Sequence, residues 1–162
     1  MLSLDTSSTV TGYAYYEAGV LVESGVINKN TKEYKKMDSE SRLNDMCKDI
    51  YALLKRIKPQ TIVCEMTVVE RGASTQRMLS EIVGSVRGWA IYHNCEFALY
   101  RPTQWRKIVC DQDEKAPRKR NDCKIWSINK VKSIYGNQTI DDNEADAILI
   151  GTARIKEFSN EL

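Results

Sequence analysis

Met1-Leu2-Ser3-Leu4-Asp5-Thr6-Ser7-Ser8-Thr9-Val10-Thr11-Gly12-Tyr13-Ala14-Tyr15-Tyr16 decides how the rest of the chain is read. The first five residues are a short apolar run closed by a carboxylate. Thr6 to Thr9 are small hydroxyl residues and read as a turn. Val10 to Tyr16 are β-branched and aromatic, which marks a second strand. A hairpin of this kind sets Asp5 at a strand end inside a sheet, where a charge is costly unless something pairs with it. On this stretch alone, Asp5 reads equally well as a cap of the turn over Thr6–Thr9.

Two further stretches break the tie. Thr61-Ile62-Val63-Cys64-Glu65 is another buried-looking strand that ends on an acid. Asp142-Asn143-Glu144-Ala145-Asp146-Ala147-Ile148-Leu149-Ile150 opens a helix with acids on its first turns. Three acidic positions far apart in sequence thus stand at the ends of apolar elements. Carboxylate metal sites in α/β folds are assembled this way.

Composition narrows the chemistry. The chain has 162 residues, enough for one domain with a proper core, and residues 1–162 are read as a single domain. No run of about 18 apolar residues occurs, so no membrane span is expected. An acid at position five disrupts any secretory signal pattern. The five cysteines lack metal-type spacing and suggest free thiols in a reducing, cytoplasmic setting. With a single histidine, His93, neither a histidine metal site nor a Ser-His-Asp relay can be built. Catalysis would have to run on carboxylates. The net charge is only +2, but basic residues outnumber acidic ones from Arg101 to Lys132, and Arg118-Lys119-Arg120 forms a dense cluster. A basic surface beside an acidic pocket suits a polyanionic substrate with a metal at the reaction centre.

Taken in order, Val20–Ile27 reads as a third strand after a turn at Ala18-Gly19, and residues 28–36 as a lysine-rich loop. A helix is predicted from Ser39 to Lys58, with Leu43, Met46, Ile50, Leu53, Leu54 and Ile57 at helical spacing; Pro59 stops it. After the strand at 61–65 and a loop over 66–72, a helix runs from Ser74 to His93. Gly84 and Gly88 lie within it, and each costs about 1 kcal/mol relative to alanine, which points to close backbone approach by this chain's own sheet or by a second subunit. Residues 95–100 form the fifth strand. Thr103 is the expected cap of a helix that carries Arg106 and Lys107, residues 111–122 read as a mobile loop, and a helix spans Cys123–Tyr135 with Ile125, Trp126, Ile128, Val131 and Ile134 as its core face. Gly136-Asn137 ends it, and the last helix covers about 142–158. The result is a mixed five-stranded sheet, three antiparallel strands followed by parallel additions, with helices on both faces.

On the last helix, residues three and four before Asp146 share its face. These are Asn143 and Asp142, whereas Glu144 points elsewhere. If the first strand and the strand at 61–65 are neighbours, Asp5 and Glu65 end side by side. Asp5, Glu65 and Asp146, with Asn143 or Asp142, then make a hard oxygen site suited to Mg²⁺ or Mn²⁺. Two such ions can hold both sides of a phosphodiester, and no side-chain nucleophile is needed. Arg106, Lys107, Arg118, Lys119 and Arg120 are the candidate phosphate contacts.

The same residues resemble a known family. Leu2-Ser3-Leu4-Asp5 with Val10-Thr11-Gly12-Tyr13-Ala14 is similar to the opening of RuvC-type Holliday junction resolvases. Val63-Cys64-Glu65, Val83-Gly84-Ser85-Val86-Arg87-Gly88-Trp89-Ala90 and Glu144-Ala145-Asp146-Ala147-Ile148 resemble the later motifs, in the same order over nearly the whole chain. The resemblance implies an RNase H-like fold, a homodimer, and paired nicking of four-way DNA junctions with Mg²⁺ or Mn²⁺, leaving 5′-phosphate and 3′-hydroxyl ends. It also implies that Val68 and Val69 occupy the place of the family's apolar wedge at the junction centre.

Three features depart from the family pattern. Thr6-Ser7 stands where the family carries Pro-Gly. Asn143 stands where it carries Asp or His, so an amide oxygen replaces a charged or basic ligand. The basic insert at 115–120 is long. A short chain with these departures resembles a bacteriophage member. Two other readings use the same residues: an RNase H-like nuclease acting on hybrids or flaps, and a junction-binding protein that does not cut. An actin-like ATPase shares the acid-ended first strand but needs a second such domain, for which this chain is too short.

Overall fold

The computed structural model describes residues 1–67, 72–136 and 140–159. Five strands are present: β1 (Leu2–Asp5), β2 (Val10–Glu17), β3 (Val20–Asn28), β4 (Thr61–Glu65) and β5 (Glu96–Tyr100). They form one sheet in the order β3-β2-β1-β4-β5. The β1–β2 and β2–β3 pairs are antiparallel, whereas β1–β4 and β4–β5 are parallel. The mixed sheet is therefore the one expected from the order of elements. The helices are α1 (Lys32–Lys36), α2 (Ser39–Ile57), α3 (Ala73–Tyr92), α4 (Pro102–Val109), α5 (Arg120–Tyr135) and α6 (Asp142–Ser159). Among the described residues, no helix is long and apolar enough to cross a membrane.

Strand periodicity divides the core between two faces. Leu2, Leu4, Ile62 and Cys64 face α2 and α3, packing with Met46, Ile50, Leu54, Ile82 and Val86. Val63, Ala14 and Tyr16 face the other way, against Trp105, Val109, Val131, Ile148 and Leu149 of α4, α5 and α6. On that second face, small residues let α6 lie close to the sheet. A methyl group at Gly151 would sit 2.4 Å from the Tyr16 ring and 2.7 Å from Ser3 Oγ. Ser3 Oγ donates to Ala147 O at 2.7 Å, which pins the helix over β1.

Local chemistry explains where the elements start and stop, including three places where it corrects the sequence reading. The lysine-rich stretch contains α1, a single turn capped by the Thr31 side chain and anchored by the buried Tyr34. The fourth helix starts at Pro102 rather than after Thr103, because proline's fixed φ suits the first helical position and needs no N–H partner. The fifth helix starts at Arg120, and the segment before it is fastened rather than loose. Lys130, only 6% exposed, donates at 2.6 Å to both Asp111 and Glu114.

That buried lysine also revises the expected core face of α5. Cys123, Ser127, Lys130 and Val131 point inward, while Ile125 and Ile134 are 61% and 40% exposed. Polar side chains can take the inner face because each finds an acidic partner there. Gly84 and Gly88 lie on the open side of α3, where a methyl group on either would meet nothing within 4 Å among the described residues. Of the two packings expected for them, the one against this chain's own sheet is not seen among the described residues.

Candidate active site

The register of the sheet aligns the acids. Leu2, Ser3 and Leu4 pair with Ile62, Val63 and Cys64. One further step brings Asp5 beside Glu65, on neighbouring strands about 4.8 Å apart. Because side chains alternate, Asp5 shares the face of Ser3, and Glu65 shares that of Val63. Both carboxylates thus project toward α6, at the carboxyl ends of two parallel strands, where open α/β sheets usually place their sites.

The first turn of α6 arrives over the same spot because of one residue on β2. Gly12 pairs with Asp5 in the antiparallel register. A Cβ at Gly12 would lie 2.0 Å from the carbonyl oxygen of Asn143 and 3.0 Å from the Glu144 nitrogen. Only a residue without a side chain allows the helix start to sit on the sheet there. Asn143 is consequently held against the strand that flanks Asp5. Glu144 turns away, as its spacing predicts, and accepts from Ser24 Oγ at 2.7 Å.

The electrostatics show how closely the acids crowd. Burial pushes Asp5 well above the usual carboxylate range, and the charges of Glu65, Asp146 and Asp142 push it further, against an opposing pull from Arg106. Asp146 is pushed up to about 6, chiefly by burial; the Ser127 hydroxyl, Arg106 and Lys124 oppose the rise, and Asp142 adds to it. Four carboxylates therefore share one field.

Each of the others also has its own donor. Trp105 Nε1–H donates to Glu65 Oε2 at 2.7 Å. Ser127 Oγ donates to Asp146 Oδ1. Lys124 forms an ion pair with Asp142. Among the described residues, no three acidic, cysteine or histidine side chains are drawn together closely enough to close on one ion. Asp5, Glu65 and Asp146 are neighbours in field and orientation rather than a finished cage. The donor set nevertheless fits a hard divalent cation. Its groups are oxygens, and their mutual repulsion is the kind that such an ion relieves.

The basic candidates divide by distance from this centre. Arg106 stands at the site, where its charge acts on both Asp5 and Asp146 and its guanidinium lies 4.8 Å over the Trp105 ring. Lys107, Arg118, Lys119 and Arg120 are exposed on the flanking helix and segment. Val68 and Val69 lie outside the described residues.

No family model matches the chain. A curated relative, the crossover junction endodeoxyribonuclease RuvC of Brachyspira hyodysenteriae, is 24% identical over 156 residues, covering 94% of this chain and 91% of that one. The structure superposes on Thermus thermophilus RuvC in complex with a Holliday junction substrate with a TM-score of 0.72 at 16% identity, covering 99% of this chain and 96% of the other. The fold is that of the RuvC-type Holliday junction resolvases. Fowlpox virus resolvase, solved with Holliday junction DNA, shares the RuvC-type fold at a TM-score of 0.62 and 16% identity over 97% of both chains. The yeast mitochondrial Holliday junction resolvase follows at 0.60 and 14% identity, covering 96% of this chain and 77% of that protein.

Four residues around the acids escaped the sequence reading: Gly12, Trp105, Lys124 and Ser127. Gly12 stands within the Val10–Ala14 motif, but nothing in that motif points to α6, and nothing near Trp105 points to Glu65. Ser127 and Lys124 follow Cys123 by four residues and one residue, on a helix read from its isoleucines. The usable signal was the polar spacing Cys123, Ser127, Lys130, which puts two hydrogen-bonding side chains on one helical face.

Proposed function

We propose that this protein is a metal-dependent, structure-specific DNA endonuclease that resolves four-way junctions by paired nicks, leaving 5′-phosphate and 3′-hydroxyl ends. The observation that carries the proposal is the common direction of Asp5 and Glu65 from adjacent parallel strand ends, under a helix that brings Asp146 to the same field. The RuvC-type fold over the full chain supports the same reading.

Asp5, Glu65 and Asp146 are the residues that would hold Mg²⁺ or Mn²⁺, with Asn143 completing the set. Two ions, when bound, would activate the attacking water and stabilise the leaving oxygen of the phosphodiester. Asp142 is less suited than Asn143 to the fourth position, since Lys124 already neutralises it. Asn143 would contribute an amide oxygen without charge and so would hold an ion more weakly than an acid would. Arg106 serves two ends: its charge lowers the affinity of Asp5 and Asp146 for protons, and it would pair with a phosphate brought to the acids. Lys107, Arg118, Lys119 and Arg120 take up neighbouring phosphates; Val68 and Val69, to which the resemblance gives the wedge at the junction centre, lie outside the described residues.

The protein acts as a homodimer, because paired nicks need two sites facing two strands. The open face of α3 suits that contact, with Gly84 and Gly88 uncovered and Ile91 and Tyr92 70% and 82% exposed. Its setting is the cytoplasm of a bacterium or of a phage-infected cell.

The test is a synthetic four-way junction incubated with Mn²⁺. Symmetric nicks on opposing strands are expected, and Asp5→Asn should bind the junction without cutting it. Equal cutting of junction and linear duplex would defeat the proposal. Binding without cutting in any divalent metal would instead favour a junction-binding protein.

A further inference from the structure

We infer that Trp105 is a positioning residue for Glu65, holding one oxygen of that carboxylate and so fixing how the group is turned toward the metal. The inference rests on the reading of Glu65 as a metal ligand.

The chain builds this contact from three separate elements. Glu65 pairs with Tyr100 in the parallel register of β4 and β5, so the residues after Tyr100 emerge beside Glu65. Pro102 starts α4 at once, and one turn later Trp105 points back beneath the end of β4. Its ring is wholly buried, yet Nε1–H reaches Glu65 Oε2 at 2.7 Å. An indole can only donate, and a buried N–H left without an acceptor is costly, so the two side chains fix each other.

The choice of donor matters. Lys124 brings a full positive charge to Asp142, which competes with any cation for that carboxylate. Trp105 brings a donor without net charge. A carboxylate offers about four lone-pair positions on two oxygens. The indole takes up one of them without itself neutralising the carboxylate. Outer partners of this kind set the orientation of metal ligands.

The indole is itself immobilised. Trp126 packs against it with ring centroids 6.3 Å apart, and Trp126 Nε1–H donates to Glu114 Oε1 at 2.7 Å. Glu114 is locked by the buried Lys130, which also holds Asp111. The Arg106 guanidinium also lies over the Trp105 ring, 4.8 Å from its centroid. The two tryptophans thus form a wall between the acids and the segment that leads to Arg118 and Lys119. Side chains with so little freedom can impose a fixed geometry on Glu65.

Trp105→Phe keeps an aromatic ring and removes the donor. Mn²⁺ affinity should be measured by calorimetry on the full chain without DNA, alongside junction binding in EDTA. The expected result is Mn²⁺ binding about 10- to 100-fold weaker, the usual loss when an outer partner is removed, with junction binding in EDTA unchanged. Val109→Ala, equally buried on the same helix, is the control for simple destabilisation; it should lower the unfolding temperature and leave Mn²⁺ affinity at the wild-type value. Wild-type Mn²⁺ affinity in Trp105→Phe, or an equal loss in Val109→Ala, overturns the inference while leaving the junction nuclease reading intact. Absence of Mn²⁺ binding by the wild-type chain overturns both. If Trp105→Phe does not fold, the wild-type protein labelled with ¹⁵N at its three tryptophans reads the same contact. One indole N–H signal should shift as Mg²⁺ binds, and three unmoved signals overturn the inference.

Discussion

Removing the charge of Asp146 should stabilise the metal-free protein, although it destroys the proposed catalytic site. In the folded chain burial pushes the Asp146 carboxyl up to about 6, from the ordinary aspartate value of 3.8. A group whose folded-state pKa is raised contributes its stability below the unfolded value and loses it as pH climbs through the folded one. Between about pH 4 and 6 the folded state therefore loses stability through this residue, and above 6 the deficit is constant. Two units correspond to about 3 kcal/mol. Asp146→Asn removes that deficit, and its amide oxygen can still accept from Ser127. At pH 7 in EDTA the variant should gain up to about 3 kcal/mol, or roughly 6–12 °C in unfolding temperature for a chain of this size. The gain should vanish below about pH 4. Saturating Mn²⁺ should reverse the order, because a cation that binds only the folded state stabilises the chain that retains the ligand. Thermal unfolding across pH with and without Mn²⁺ reads all of this. A variant no more stable than wild type at pH 7 in EDTA, or a gain that does not depend on pH, would refute the reasoning.

Two more substitutions probe how the site is seated. Gly12→Ala forces the start of α6 off the sheet by an ångström or more, since the new methyl would overlap Asn143 O. It should cost about 1–3 kcal/mol by denaturant unfolding and cut junction cleavage on the order of 100-fold, with junction binding in EDTA retained; unchanged cleavage would contradict the seating role. Lys124→Ala removes a charge that favours ionised Asp146. The carboxylate then keeps its proton to a higher pH, so the acid limb of the cleavage profile at fixed Mn²⁺ should move to higher pH, and a move the other way would contradict the assignment.

How much of this was legible in the sequence follows from the range of the contacts involved. Strand alternation is local, so Leu2-Ser3-Leu4-Asp5 and Thr61–Glu65 announced two acid-ended strands and the faces their side chains take. Helical spacing is local too, and it turned Glu144 away from Asp146, where its carboxylate accepts from Ser24. What local pattern does not carry is the partner. Trp105 and Glu65 are 40 residues apart, and nothing near either residue specifies the other. The inward turn of Ser127 and Lys130 depends on Asp146, Asp111 and Glu114, so Ile125 and Ile134 were misassigned by a rule that knows only hydrophobicity, whereas Ile128 does pack against the core. The segment at 111–119 looked loose for the same reason, since its anchor is a buried lysine on the following helix. Gly12 had no local signal, because its role is set by a carbonyl more than 130 residues away.

The most direct test is crystallographic. Crystals of the full chain soaked in Mn²⁺ should show anomalous density between β1, β4 and the start of α6, bonded to carboxylate oxygens of Asp5 and of Glu65 or Asp146. Manganese bound elsewhere, or a site in which Asp5 shares no ion with either of the other two acids, would contradict the account.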